Sequence, residues 1–563
     1  MIMNNHNKLD DAREYPNAES MLMTDETDIL IIGAGAAGLT AAISASEAGA
    51  RVTIIEKGDQ LGGSTSVSGG IVWVPNNHYM AEANIDDSRN DALAYFDSLN
   101  HGDIDETLLT TFIDQGPEAL KFLESKGALS LSILSGYPDY YISRPGAKSN
   151  GGRALDNDLF SFADLGEWAN KIYQSPSLPR LMLRETPLGG ASGFIEPDEL
   201  EDRVKKDARG WGQALLGRLL HACLKRNIEP QLGARAKRLL LDKGTVKGAV
   251  ISSGEKERTI KARCGVILTT GGFEWDKDLR QTFLRGPMDA PASPPMNQGD
   301  GLKMAMSAGA ALGNMTNSWW VPTVSIPGDH WESGEQRSQP VLIERTLPHT
   351  IMVNARGERF CNEANNYCSL AGSFHTFDPA TYSYPNLPAF LIFDQQYRQH
   401  YPFASLMPNE ETPNWMYQAP SPEELGELIG VDGSALRQTI ETFNINAAKG
   451  RDPHFNRGES IYDRFYGDRS KEGAKATLAP LTQAPYFAVE IKMGTLGTNG
   501  GAKTDGKARV LDHDGNTIPG LFAAGNVMSG PTGGVYAGAG GTLGPALTFG
   551  FVAGRQAATQ STI

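Results

Sequence analysis

At 563 residues, 40% apolar and 21% charged, the chain has the bulk of a globular enzyme with more than one domain. Its formal charge of -15, from 51 Lys and Arg against 66 Asp and Glu, comes with no long basic cluster, which argues against nucleic acid or an anionic membrane surface as a partner. Four cysteines, Cys223, Cys264, Cys361 and Cys368, form neither a CxxC pair nor a metal-ligand spacing, so incidental or buried thiols, no metal and a reduced cytoplasmic setting are expected.

Residues 1–27 place Asp, Glu, Asn and His ahead of any apolar run, unlike a basic segment followed by an apolar one, and are expected to be a loose tail with no secretory signal. The uncharged stretch 29–46 holds six Ala and three Gly, which fits a strand followed by a helix better than a transmembrane span. Within it Gly33, Gly35 and Gly38 stand in GxGxxG spacing, with Ala36 and Ala37 between them, and Glu56 follows 18 residues beyond Gly38 after a second strand. Strand, glycine turn, helix, strand and acid is the order of a dinucleotide fold, in which Gly33 permits the turn, the pyrophosphate lies near Gly35 at the helix N-terminus, and the acid binds a ribose hydroxyl. Glu rather than Arg at this point favours an unphosphorylated ribose, as in FAD or NAD.

Residues 61–75, LGGSTSVSGGIVWVP, combine Gly62, Gly63, Gly69 and Gly70 with the hydroxyls of Ser64, Thr65 and Ser68, a backbone able to lie against a planar or phosphorylated ligand. Residues 105–127 read as a helix, and 136–207, rich in Pro, Gly and charge, as a long excursion with little core that forms a cap or an oligomer contact. The stretch 210–226 reads as an amphipathic helix. Strand-like segments follow, containing Ala236 and ending at 268–272 with Gly271 and Gly272 beside the cofactor. Aromatic residues then accumulate, among them Trp319, Trp320, Tyr367, Phe374 and Tyr382. The glycine signature returns at 494–501 and in GLFAAGN, which holds Gly525 and Asn526. The expected fold is therefore α/β, α+β overall, with a Rossmann-like cofactor domain split between 28–317 and 489–563 and an inserted α+β substrate domain at 318–488. The active site should lie between them.

With both ends in view, the chain resembles the flavoproteins of the succinate dehydrogenase and fumarate reductase superfamily, and within it the 3-ketosteroid dehydrogenases. The likeness rests on GGSTSVSGGIVWVPNN (62–77), YPDYY (137–141), GGRAL (151–155), WWVPTV (319–324), RFCNEANNY (359–367), RGESIYDRFYGD (457–468), LGTNGG (496–501) and VYAGAGGTLGPALTFG (535–550). It implies FAD as cofactor, with Lys57, Thr542 and Leu543 among its contacts. It also implies that the helix expected at 541–554 points its N-terminus at the flavin pyrimidine edge.

Fumarate reductases resemble one another in placing an arginine near the position of Tyr367, with further Arg and His residues clamping two carboxylates. Here Tyr367 and Tyr536 stand instead, so a hydrophobic ketone substrate is implied. By resemblance to the Δ1 enzymes, the Tyr536 hydroxyl and Gly540 N–H would hold the 3-keto oxygen, Tyr367 as tyrosinate would take the C2 proton, Tyr140 would hydrogen-bond Tyr367, and flavin N5 would receive the C1 hydride.

Two departures qualify this. Ser64 and Thr65 stand where covalently flavinylated relatives carry histidine, which implies noncovalent FAD. Ala537 and Ala539 replace the prolines of YPGPG-like loops, which leaves open Δ4-(5α)-3-ketosteroid or small cyclic-ketone dehydrogenation beside 3-ketosteroid Δ1-dehydrogenation. A fumarate-reductase-like enzyme and a noncatalytic flavin protein are the remaining alternatives. No second GxGxxG unit marks a nicotinamide site, and neither the electron acceptor nor the oligomeric state is legible.

Overall fold

The computed structural model describes residues 24–174 and 180–560. Residues 1–23 of the expected tail and 175–179 of the expected excursion lie outside the described residues, and the first strand begins at Thr24, inside the 1–27 segment. That strand, Thr24–Ile32, pairs in parallel with Val52–Ile55 on one side and with Lys256–Leu268 on the other. Lys256–Leu268 pairs in parallel with Thr517–Ala523, and Arg509–Leu511 closes the edge antiparallel. A meander of Arg235–Asp242 and Thr245–Ser253 is joined to the early half of Lys256–Leu268. The register sets Ile32 opposite both Ile55 and Leu268, and Leu268 opposite Ala523. Four parallel strands thus end together, which builds a ligand crevice at their carboxyl ends.

The helix Ala36–Glu47 carries a single charged residue, Glu47 at its end, and buries ten of its residues. It packs against the C-terminal helix Leu543–Ala558 almost backbone to backbone: a Cβ on Gly550 would lie 2.5 Å from the Ala37 carbonyl, and one on Gly554 2.2 Å from that of Ala41. Ser44 Oγ donates to the Phe551 carbonyl at 2.8 Å. The helix Glu106–Ser125, capped by Asp105 accepting from Leu108 N, buries Leu108, Leu109, Phe112, Ile113, Ala119, Leu120 and Leu123 along one stripe. The helix Trp211–Leu224 differs from its expected amphipathic character. Leu215, Leu216, Leu219, Leu220 and Cys223 are all buried, as are Gly212, Gln213, Ala214 and Ala222 between them, because it is sandwiched between the first helix and the strands beneath the excursion.

The excursion is not poor in core. Gly151–Asn157 is buried at every position and pairs with Val72–Trp73 and Leu131–Ser135. Its charge is internal: Arg153, 1% exposed, bonds Asp139 and Asp87, so polar letters mark a buried ion-pair network and not a solvated surface.

A second, antiparallel sheet runs in the order Gln336–Pro340, Ser318–His330, Tyr486–Thr498, Ala389–Asp394, Thr350–Val353, with Tyr417–Ala419 also paired to Tyr486–Thr498. Alternation gives it two dry faces. Met352, Leu391 and Phe393 face the main core, while Ile351, Val353, Phe390 and Ile392 face a separate core with Leu425, Leu436, Ile440 and Phe443 of two covering helices. The strand Tyr486–Thr498 runs through the expected boundary at 488/489, and the segment 494–498 belongs to this sheet, because residues 492–498 pair with 318–323 as 486–491 pair with Ala389–Asp394.

Candidate active site

A cavity of about 550 Å³ opens at the carboxyl ends of the parallel strands and extends to the second sheet. Gly33, Gly35, Ala36, Ala37, Glu56, Lys57, Gly62, Gly63, Ser64, Thr65, Ser68, Gly69, Gly70, Ala236, Gly271, Gly525, Asn526, Thr542 and Leu543 all line it. Gly33 has φ 108°, and a Cβ there would meet the Thr269 carbonyl at 2.4 Å. The helix behind it opens at Gly35, which has no side chain to cap it; Ala36 N donates to Thr65 Oγ1 at 3.2 Å, and the helix N-terminus faces the cavity. Glu56 is half-buried, and desolvation pushes its carboxyl up against the opposing N–H groups of Ala34 and Gly58. Lys57 and Arg235 both pair with Asp300.

Two expected cofactor residues lie elsewhere. Gly38 packs on the turn itself, its missing Cβ falling 2.0 Å from the Gly33 carbonyl, and Gly272 faces Thr498 and Glu274. Both serve close packing behind the wall.

Tyr367, Tyr536 and Gly540 line the same cavity; Tyr140 does not. Tyr140 stands behind, its hydroxyl donating to the Tyr367 hydroxyl at 2.9 Å and its ring stacked on Tyr536 at 5.6 Å. Tyr367 and Tyr536 ring centroids are 5.6 Å apart, and Trp319 abuts Tyr536 at 5.2 Å. The loop of Tyr536 is pinned without prolines: the Ala537 carbonyl accepts from Tyr140 N at 3.0 Å and from the Tyr95 hydroxyl at 2.9 Å. Burial pushes the Tyr536 phenol up to about 12, against the lowering influence of the Tyr367 and Thr542 hydroxyls and the Gly540 N–H. Burial also lifts Tyr367 well above the ordinary phenol range, helped by Tyr536, Tyr137 and Tyr466, while the Tyr140 hydroxyl opposes it.

Several site residues escaped sequence reasoning. Tyr137 and Tyr466 line the cavity and share a hydroxyl–hydroxyl hydrogen bond. Asp139, inside YPDYY, accepts from Trp73 Nε1 at 2.9 Å and pairs with Arg153 of GGRAL at 2.8 Å, so three separated motifs are one network. Glu363 is gripped by Arg359 at 2.7 Å and Arg457 at 3.1 Å; burial raises its carboxyl, yet the two guanidiniums bring it below the usual range. The signal was the charges inside the motifs. The thiols of Cys361 and Cys368, which flank Tyr367's segment, are buried, and burial pushes Cys368 up to about 12.

The cavity wall also carries buried polar atoms with no partner, Trp211 Nε1 and Thr270 Oγ1, which suit a ligand with polar edges. The model of the FAD binding domain family matches residues 28–543. The chain belongs to this FAD-binding family. It is 38% identical over 541 residues to the 4-oxocyclohexanecarboxylate 2-dehydrogenase of Sinomonas cyclohexanicum, covering 95% of this chain and 93% of that protein. It is 33% identical to the 3-oxosteroid 1-dehydrogenase of Mycobacterium tuberculosis, covering 96% and 100%. The structure of 3-ketosteroid delta1-dehydrogenase from Sterolibacterium denitrificans, in complex with 1,4-androstadiene-3,17-dione, superposes with TM-score 0.85 at 34% identity, covering 95% of this chain and 99% of that one. The protein is thus an FAD-dependent oxidoreductase of the 3-ketosteroid dehydrogenase type. Its glycine-lined wall and the helix N-terminus facing the cavity fit FAD. Among the described residues, no helix is long and apolar enough to cross a membrane, and no cluster of His, Cys, Asp and Glu could hold a metal ion.

Proposed function

We propose that the chain dehydrogenates a cyclic ketone next to its carbonyl, with 3-ketosteroid Δ1-dehydrogenation as the leading reaction. The observation that carries this is the convergence of Tyr367, Tyr536 and Gly540 on one cavity, with Tyr140 bonded behind Tyr367. Tyr536 Oη–H and Gly540 N–H donate to the ketone oxygen and stabilise the charge that develops on it as the α C–H bond breaks. Polarised in this way, the substrate loses the α-proton to Tyr367 Oη as phenolate. Tyr140 Oη–H stays donated to that oxygen and holds its charge. FAD, when bound, supplies the acceptor for the β-hydride. Ser64 and Thr65 give no histidine for a covalent link, so FAD is held noncovalently. Tyr137 and Tyr466 line the cavity beside Tyr367 and Tyr536, and their rings keep water from the reacting carbon.

A second reading, a small cyclic ketone bearing a carboxylate, is favoured by the 38% identical relative and by Arg337, a cavity-lining cation paired with Asp329 at 2.8 Å.

Anaerobic flavin bleaching with 4-androstene-3,17-dione, 5α-androstane-3,17-dione, cyclohexanone and 4-oxocyclohexanecarboxylate, followed by product identification, tests both readings. Fast bleaching by the first, with a 1,4-diene product, is expected. Bleaching by the last alone would move the assignment to the keto acid, and no bleaching by any would sink ketone chemistry.

A further inference from the structure

Trp73, on the short strand Val72–Trp73, is 1% exposed and stands behind the cavity wall. It touches the loop of Tyr536 and Gly540 at three places. Its backbone N–H donates to the Gly540 carbonyl at 3.2 Å, an oxygen that also accepts from Gly544 N at 3.0 Å. The edge of its indole lies against Gly538, where a Cβ would come within 2.4 Å of Nε1 and 2.5 Å of Cδ1. Its carbonyl lies under Gly544, where a Cβ would fall 2.0 Å away. At Gly540 the strand comes so close that a Cβ would meet the Ile71 carbonyl oxygen at 2.5 Å and Trp73 N at 2.7 Å. Gly540 has φ 95°, which glycine adopts without steric cost. With its carbonyl tied to Trp73 and its φ fixed, the direction of the Gly540 N–H is set from outside the loop.

The indole is itself held. Nε1 donates to Asp139 Oδ1 at 2.9 Å, while Asp139 Oδ2 accepts from Lys148 N at 2.9 Å and from Arg153 Nη1 at 2.8 Å. The Arg153 guanidinium lies over the indole at 5.6 Å and forks onto Asp87 with bonds of 2.8 and 2.6 Å. Asp139 and Arg153 are both buried, and a buried network with its donors and acceptors matched is rigid. Asp139 also precedes Tyr140, whose N–H donates to the Ala537 carbonyl at 3.0 Å and whose hydroxyl donates to Tyr367 at 2.9 Å. One chain of bonds therefore runs from the Gly540 carbonyl through Trp73 and Asp139 to the residue behind Tyr367.

We propose that Trp73 is a positioning residue for the carbonyl clamp. Its hydrogen bond to Asp139 and its contact with Gly538 hold the 536–540 loop so that the Gly540 N–H and the Tyr536 hydroxyl meet on one substrate oxygen. Neither Trp73 nor Asp139 lines the cavity, so both act through the loop. Donors fixed in advance stabilise developing charge without reorganising during the reaction, and a loop that drifts loses that advantage while still admitting substrate. This rests on Tyr536 and Gly540 as the clamp of the proposed reaction.

The test uses FAD-loaded protein and two readouts: kcat and KM with whichever of the four ketones bleaches the wild-type flavin fastest, and the ionisation of bound 4-nitrophenol. The ionised oxygen of that probe stands in for the enolate, and its absorbance reports its charge. Two donors on the oxygen favour the phenolate, so wild type is expected to lower the pKa of the bound probe. Trp73→Phe removes the indole N–H and leaves a smaller ring behind Gly538. It is expected to lose about tenfold in kcat with KM within about threefold of wild type, and to raise the pKa of the bound probe by about one unit. Gly538→Ala drives a methyl into the indole, which supplies the three atoms nearest to that Cβ, and is expected to do the same. The two substitutions together are expected to be no worse than either alone. A Trp73→Phe protein that melts earlier yet ionises the probe as wild type does would overturn the proposal and leave Trp73 as core packing. Should Trp73→Phe fail to fold, Gly538→Ala decides: a raised probe pKa supports positioning, and an unmoved one rejects it. Tyr536→Phe separates the two layers. If it ionises the probe as wild type does, the clamp itself fails and the role of Trp73 with it, whereas a shift in Tyr536→Phe beside an unmoved Trp73→Phe removes only Trp73.

Discussion

On the cofactor side of the cavity the wall is backbone. Gly33, Gly35, Gly62 and Gly63 bring bare peptide groups to the surface; a Cβ on Gly33 would collide with the Thr269 main chain and one on Gly62 with the Leu216 side chain, while Gly35 and Gly63 leave room on the cavity side. On the substrate side the wall is phenol: Tyr367, Tyr536, Tyr466 and Tyr137, with Tyr140 and Tyr462 behind them. The first side is specified by the absence of atoms at particular chain positions. The second is specified by hydroxyl groups brought from four distant segments, at 137–140, 367, 462–466 and 536. Small additions should therefore destroy one side, and small deletions the other.

The largest expected effect is on the backbone side, from a residue that touches no ligand. Gly38→Ala places a methyl 2.0 Å from the Gly33 carbonyl, and purified protein should be colourless, with bound flavin lost by absorbance. On the phenol side, Tyr367→Phe should keep its yellow colour and lose about 10³ to 10⁴ in kcat, at the upper end of what a general base contributes. Tyr536→Phe should lose about 10² to 10³, in kcat more than KM if its hydroxyl acts on developing charge; a loss confined to KM would make it a binding group. The smallest is Tyr140→Phe. Loss of one hydrogen bond to a charged group, about 1.5 to 3 kcal/mol, should move the ascending limb of kcat/KM alkaline by roughly one to two units.

The wild-type limb has a definite sign. Burial raises the phenols of Tyr367 and Tyr536, so the resting protein holds them protonated at neutral pH and kcat/KM should climb as pH rises toward about 10. The same shift bears on stability. Folding favours the protonated phenols, so their contribution is intact below the unfolded value of about 10 and is lost as pH rises through the higher folded values. Unfolding midpoints measured from pH 7 to 11 should fall only at the alkaline end.

The contrast between the two walls also explains what could be read from the chain. The turn at Gly33, the acid at Glu56 and the strand and helix around them are local in sequence, so spacing alone revealed them. The phenol wall had no local period, and Tyr367, Tyr536 and Tyr140 came to notice through family likeness alone. Tyr466 and Tyr137 sat inside quoted motifs without a role, because their pairing spans 329 residues. The excursion at 136–207 misled for a related reason. Arg153 and Asp139 look like surface residues in a list of letters and are a buried pair in space. The boundary at 488/489 failed to register because glycines in 494–501 resemble a nucleotide loop while the strand carrying them belongs to the other sheet.

The contact of Ala37 and Ala41 with Gly550 and Gly554 joins segments about five hundred residues apart, and Ser44 bonds Phe551 across 507 positions. The first dinucleotide turn leaves the ribosome about five hundred residues before the helix that closes over it. Until that helix follows, the nascent chain holds half a cradle, with the Ala36–Glu47 helix uncovered. Flavin capture therefore waits for both segments, and a chain cut before residue 543 would carry the complete fingerprint and have nowhere to seat the cofactor.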